Sequence, residues 1–232
     1  MKRFLTQYRA LLWQALQVEW SNSERWMSPL LFSTTMILLF AFAFGKVDVA
    51  FLPQLYIAAT YLTASFSLQI AFSRVLEPDT QDRVFDQLRT YPISPSAWFL
   101  SKYTIVILLG ALILLPTLFL SNLFLNNEGP VSLLNSSVLI VAVLMLLSLG
   151  AIGVLLSTMM LRSNAKQILY PLLYFPLTVP VLLSAVESSR MILVDGKDLS
   201  YLMSSWLGLL VIFGIMYFTL CLLLFGELVK PE

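Results

Sequence analysis

"GPVSLLNSSVLIVAVLMLLSLGAIGVLLSTMML", residues 129–161, runs for 33 residues without a charged side chain. As one helix at 1.5 Å per residue it would extend about 50 Å, whereas about 20 apolar residues cross the hydrocarbon core of a bilayer. Its polar opening supplies a turn and an interfacial entry, which leaves a span near residues 136–161. Five further charge-free windows occupy 26–45, 49–73, 103–127, 167–186 and 199–226, with lengths of 20, 25, 25, 20 and 28 residues. A membrane accepts only helices or closed barrels, and none of these runs alternates as a barrel strand would. The chain is therefore expected to be all-α, a polytopic membrane protein with six transmembrane helices.

Composition agrees. Hydrophobic residues make up 59% of the chain and charged residues 12%, about half the charge of a soluble domain. One transmembrane domain is expected over residues 1–232, with spans at about 26–45, 53–73, 100–125, 136–161, 167–187 and 203–226. "AFAFG" at 41–45 has the look of a cleavage site. However, a helix-like segment precedes the first apolar run, where a signal peptide has only a brief basic region, so that run reads as an uncleaved anchor.

Six spans put both termini on one side. That side collects Lys2, Arg3, Arg9, Arg25, Arg74, Arg83, Arg89, Lys102, Arg162, Lys166 and Lys230, while the other has Lys46, Arg190 and Lys197. Basic residues favour the cytoplasm, so both termini are expected there. Residues 1–25 form an amphipathic segment in which Phe4, Leu5, Tyr8, Leu11, Leu12, Ala15 and Leu16 recur at helical spacing. It suits an interfacial helix or, equally without crossing, a cap packed on the bundle.

Several function classes lose support. A net charge of +1 leaves no nucleic-acid footprint. The single cysteine, Cys221, gives neither a disulfide framework nor a thiolate cluster, and histidine is absent. Glu187, Arg190 and Glu227 fall at span ends, so no intramembrane charge marks a proton path. Gly45-Lys46 and Gly196-Lys197 lack the rest of a phosphate-binding loop. If ATP drives this protein, another subunit binds it.

Two segments carry the functional reading. "LEPDTQDRVFDQLRTYPISPSAW", residues 76–98, is the long water-soluble stretch between spans two and three. Pro78 and Asp79 suit a helix start, with Asp79 as a cap and Asp82 in the first turn. Val84, Phe85 and Leu88 share a face ringed by Asp82, Arg83, Asp86 and Arg89, and Pro92 and Pro95 end the helix. A helix this short needs a partner surface. It is either a docking element or a loop helix packed under its own bundle.

The second segment is "YPLLYFPLTVPVLLSA", residues 170–185. Pro171, Pro176 and Pro180 each remove a donor, so the carbonyls of Gln167, Leu172 and Pro176 lose their usual partners. Thr178 and Tyr174 are candidates to satisfy them. The span is expected to be a moving part or cavity wall, or else a static kink.

The first segment resembles the coupling loop of ABC-2 type permeases. The Pro176-Leu177-Thr178-Val179-Pro180 core and the "DTQDRVFDQL" run (79–88) are similar to the CcmB family, haem-exporter permeases of bacterial cytochrome c maturation. The likeness spans about residues 68–190 at motif level. Arg83, Asp86, Ser94 and Ser96 depart from the family pattern. The resemblance implies an ABC-2 exporter fold and a non-catalytic permease subunit in the bacterial inner membrane. It implies a CcmA-like ATP-binding subunit engaged by the coupling helix 79–89 through Asp79, Asp82, Phe85, Asp86, Leu88 and Pro92. Gating would fall to Tyr174, Pro176, Thr178 and Pro180. A CcmC-like haem-handling protein and a CcmD-like single-span subunit would complete the complex. No cofactor is expected on the chain itself: ATP acts through the partner, and haem is the handled ligand. Without histidine, axial ligation here would fall to Met, Tyr or Cys221, so ligation is expected elsewhere. The rival readings are a permease for another amphiphile, such as a lipid-linked glycan or drug, and a non-transporting scaffold that couples ATP hydrolysis to release of a haem chaperone.

Overall fold

The computed structural model describes residues 2–45, 47–48, 51–80, 93–125, 132–160 and 166–229, without the side chains of 2–3, 79–80 and 166–167. Among these residues the helices are α1 (Lys2–Ser21), α2 (Glu24–Phe44), α3 (Leu52–Phe72), α4 (Glu77–Thr80), α5 (Pro95–Leu125), α6 (Ser136–Met159), α7 (Lys166–Leu193), α8 (Leu199–Leu202) and α9 (Trp206–Val229). Six of them, α2, α3, α5, α6, α7 and α9, are long and apolar enough to cross a membrane. The all-α, six-span fold is as the charge-free windows require.

Helix α6 is the axis of the bundle. It packs on α9, α7, α5 and α3, and 72% of its span is buried against 17% for α2 and for α9. The unbroken buried run from Ser148 to Thr158 explains why its sequence is apolar all round. Asn135 starts the helix by accepting a hydrogen bond from the Ser137 amide at 3.2 Å, a cap that satisfies one otherwise orphaned donor. Glycines allow close approach. A Cβ on Gly153 would come within 2.7 Å of the Phe72 ring, and one on Gly110, the midpoint of α5, would collide with Leu146. The outward residues of α2 and α9, such as Leu31, Phe42, Ile212 and Leu223, are large, apolar and exposed, as lipid contact requires.

The boundaries differ from the sequence reading in three informative places. Helix α5 begins at Pro95 and runs 31 residues; proline, read as a stop signal, instead opens a helix, where its missing donor costs nothing. Helix α7 continues to Leu193, past Glu187 and Arg190, because these charges pair across one turn at 2.8 Å. Three residues past its end stands Gly196, whose φ of +63° suits a residue without Cβ.

The face of α1 is the third difference. Leu11 and Ala15 turn inward, and Tyr8 bonds Thr104 of α5 at 2.9 Å. Leu5 and Leu16, expected in the same stripe, stay exposed together with Trp13 and Trp20. The helix caps the bundle along one side and offers a tryptophan-bearing face on the other.

Candidate functional site

Of the coupling residues, Asp82, Phe85, Asp86, Leu88 and Pro92 lie outside the described residues. The backbone of Asp79 is the third residue of α4, not the cap the sequence suggests, since the helical turn already begins at Glu77 with Pro78 second. Both feet of the segment are held firmly. On entry, Val75 and Leu76 are buried. On exit, the Ser94 amide donates to Gln7 of α1 at 3.3 Å, and the Ser94 hydroxyl accepts from the Ala97 amide at 3.3 Å. Trp98 is buried edge-on against Phe225 of α9, with centroids 5.9 Å apart. Phe99, Tyr103 and Phe218 extend this aromatic cluster.

A cavity of about 100 Å³ lies between the two feet and α1, lined by Gln14, Glu19, Val75, Pro78, Trp98 and Lys102 among others. Glu19 and Lys102 are both nearly buried, and Glu19 also accepts a hydrogen bond from Arg25 of α2 at 3.0 Å. Charges this deep persist only when paired or hydrogen-bonded. Thus α1 is fixed both to the first span and to the roots of the connecting segment. The charge-pattern reading missed this joint because Glu19 and Arg25 sit on two different helices and Lys102 is distant from both in sequence.

The gating residues divide between two faces of α7. Tyr174 and Thr178 are fully buried, whereas Pro176 is exposed and Pro180 half-buried. The helix remains continuous through all three prolines. The expected rescue of carbonyls takes another form. Thr178 donates to the Phe175 carbonyl at 3.0 Å, Ser184 to Pro180 at 2.8 Å, and Tyr217 of α9 to Leu177 at 2.9 Å. None of these is the carbonyl of Gln167, Leu172 or Pro176, and the Tyr174 hydroxyl meets no partner among the described residues.

Beside Tyr174, the ring of Tyr170 stacks with centroids 5.6 Å apart. Its hydroxyl lies near Ser157 without hydrogen-bond geometry, and Ser157 has already donated to the Phe72 carbonyl at 2.6 Å. Farther along, Tyr61 of α3 bonds Ser189 of α7 at 2.7 Å. Sequence reading singled out Tyr174 and Thr178 but passed over Tyr170, Ser65, Ser188 and Ser189. Helical spacing from 170 through 174, 178 and 181 to 185 and 188 would have placed the α7 hydroxyls together.

A lipid-exposed six-span bundle that firmly roots a water-soluble segment and keeps a buried hydroxyl face on a proline-rich helix is a multi-pass membrane protein of the permease kind. The CcmB family model, described as CcmB protein, matches residues 6–227, and the chain belongs to that family. Membership makes it a membrane subunit of the ABC-type haem exporter of cytochrome c maturation, which implies an ATPase partner. Comparison with curated proteins finds no match.

Proposed function

We propose that this chain is the membrane-spanning subunit through which ATP hydrolysis on a separate CcmA-like subunit drives haem export or delivery to the periplasmic side in cytochrome c biogenesis. It sits in the bacterial inner membrane with both termini in the cytoplasm, as the eleven-to-three division of basic residues supports. The chain carries no catalytic residue of its own. Residues 79–89 are the coupling helix; Asp79, Asp82, Phe85, Asp86, Leu88 and Pro92 meet the ATPase. Helix α7 receives the motion, with Tyr174 and Thr178 on its inner face and Pro176 and Pro180 lending it compliance. CcmC-like and CcmD-like proteins complete the complex, and haem is handled rather than ligated here.

The family match over residues 6–227 carries this reading. The rooting of both ends of the 76–98 segment in α1, α5 and α9 supports it mechanically. Force arriving at a loose loop dissipates, whereas force arriving at these feet enters the bundle. The test is Phe85→Asp, which removes the apolar knob and leaves the spans alone. The variant should insert normally and lose co-purification with the ATPase subunit. Unchanged co-purification with ATP-dependent function refutes the assignment.

A further inference from the structure

Two pockets lie at opposite ends of one interhelical seam. The first, of about 470 Å³, is lined by Gln69, Ser73, Arg74, Glu77, Tyr170 and Pro171 among others, where α3 ends and α7 begins. The second, of about 450 Å³, is lined by Phe51, Gln54, Ala58, Val186, Glu187 and Arg190 among others, where α3 begins and α7 ends. Each is large enough for a small molecule. The shut stretch between them runs from Ala58 to Gln69 on α3 and from Pro171 to Val186 on α7, about 16 to 22 Å at 1.5 Å per residue. That is about half to three quarters of the roughly 30 Å hydrocarbon core.

The shut stretch is unusually polar for a helix contact in lipid, yet it carries no charge. Within it Thr178 and Ser184 are buried on α7 and Tyr61 and Ser65 on α3, and just past its end Ser189 of α7 bonds Tyr61. The hydroxyls of Ser65 and Tyr174 within the stretch, and of Ser188 just beyond Val186, meet no hydrogen-bond partner among the described residues. An unmet buried hydroxyl is destabilising, and water entering between the two helices would relieve these together. About a quarter of the way from the first pocket, Phe66 of α3 and Phe175 of α7 meet with ring centroids 4.8 Å apart. Outside this pair the surface is apolar and exposed, at Leu62 on α3 and Leu173, Val179 and Leu183 on α7. An opened seam would therefore be a groove with hydroxyls inside and lipid along its edge.

We propose that the α3–α7 seam is a closed lateral passage for an amphiphile, whose polar head crosses between the two pockets while its apolar body stays in lipid, with the Phe66–Phe175 contact as the latch. The inference deepens the proposed role of α7 as the responding helix and rests on that role.

The test uses the complete complex with its ATPase subunit in nanodiscs and a Cys221→Ala background. Ser65→Cys and Ser188→Cys replace one atom each and are challenged with a charged, membrane-impermeant methanethiosulfonate. Ser73→Cys and Gln54→Cys mark the pockets, and Leu183→Cys marks the lipid face. A minor open state is populated at a tenth or less. Making it dominant should raise the labelling of both seam cysteines at least about tenfold in one nucleotide state over another. Phe175→Ala should raise Ser65→Cys labelling without nucleotide. Short-chain phosphatidylglycerol should slow labelling in the responsive state, and glycerol 3-phosphate should not. Seam cysteines as silent as Leu183→Cys in every state, while the pocket cysteines react, overturn the passage. So does equal reactivity in all states. Protection by both compounds, or by neither, overturns the amphiphile. Retention of the ATPase subunit is scored on the same samples, so silent seam cysteines with the subunit retained refute the passage alone, whereas loss of the subunit counts against the coupling assignment.

Discussion

Ser157 on α6 donates its hydroxyl proton to the backbone carbonyl of Phe72 on α3 at 2.6 Å, one helical turn beyond the glycine that the Phe72 ring covers. Gly153 and Ser157 thus hold the same residue by its two ends, ring and main chain. The bond falls where α3 gives way to the soluble segment, and therefore fixes where the second span stops.

Substitution should separate the two contacts. In Gly153→Val, side-chain atoms would meet a fully buried ring that cannot retreat; overpacking of this kind costs about 1–3 kcal/mol. Ser157→Ala should cost about 1 kcal/mol, since the Val75 amide also reaches the Phe72 carbonyl at 3.3 Å. Gly45→Ala, where the nearest atom stands 3.6 Å from the new Cβ, should leave stability unchanged. Thermal unfolding in detergent measures all three.

The Glu19–Arg25 pair predicts an asymmetry. Both side chains are largely buried, at 8% and 12% exposure, and removing one partner of such a pair typically costs about 3–5 kcal/mol. Glu19→Gln should be the worse substitution, because it removes the carboxylate that Arg25 bonds and that shares the cavity with Lys102. Arg25→Gln leaves Glu19 with Lys102 lining the same cavity. Limited proteolysis should release α1 from the Glu19→Gln protein first. Equal susceptibility of the two variants would show that Lys102 plays no part.

Trp13 and Trp20 should lie at the depth of the lipid headgroups. They are 66% and 87% exposed on the outer face of α1, and tryptophan favours the interface. Lipids brominated near the headgroup should quench protein fluorescence more strongly than lipids brominated near the chain ends. A Trp13→Phe, Trp20→Phe double variant should lose that difference.

Two tyrosines on facing helices should respond in opposite directions. Tyr217→Phe removes a donor to the Leu177 carbonyl and should cost about 0.6 kcal/mol, as such bonds do within membranes. Tyr174→Phe removes a buried hydroxyl that bonds nothing among the described residues. It should leave stability level or higher by up to about 1 kcal/mol, and slow ATP-driven turnover by favouring the shut seam. Destabilisation by Tyr174→Phe would show that its hydroxyl is satisfied after all.

The six spans were legible because a charge inside a membrane is costly, so the gaps between charges outline the helices before any packing is known. Ends were harder. Pro95 can stop one helix or start the next, and only the Ser94 contacts settle which. Glu187 and Arg190 pass for loop residues until they are seen to neutralise each other. The fifth span was half legible: nearness to the prolines singled out Tyr174 and Thr178, but proline chemistry alone does not say which way Pro176 faces or that the helix stays continuous. The ion pair at Glu19 joins two successive helices and the hydroxyl seam joins residues far apart in the chain, and periodicity within single helices does not reveal such partners.

Helix α5 has a further consequence. At Gly110, fifteen positions from Pro95 and fifteen from Leu125, it carries no side chain, and Leu146 of α6 takes the place a Cβ would fill. A rod pivoted at its middle is a balance beam: whatever sideways stroke its soluble-segment foot receives should reappear, reversed and undiminished, at the tip on the opposite face of the bilayer.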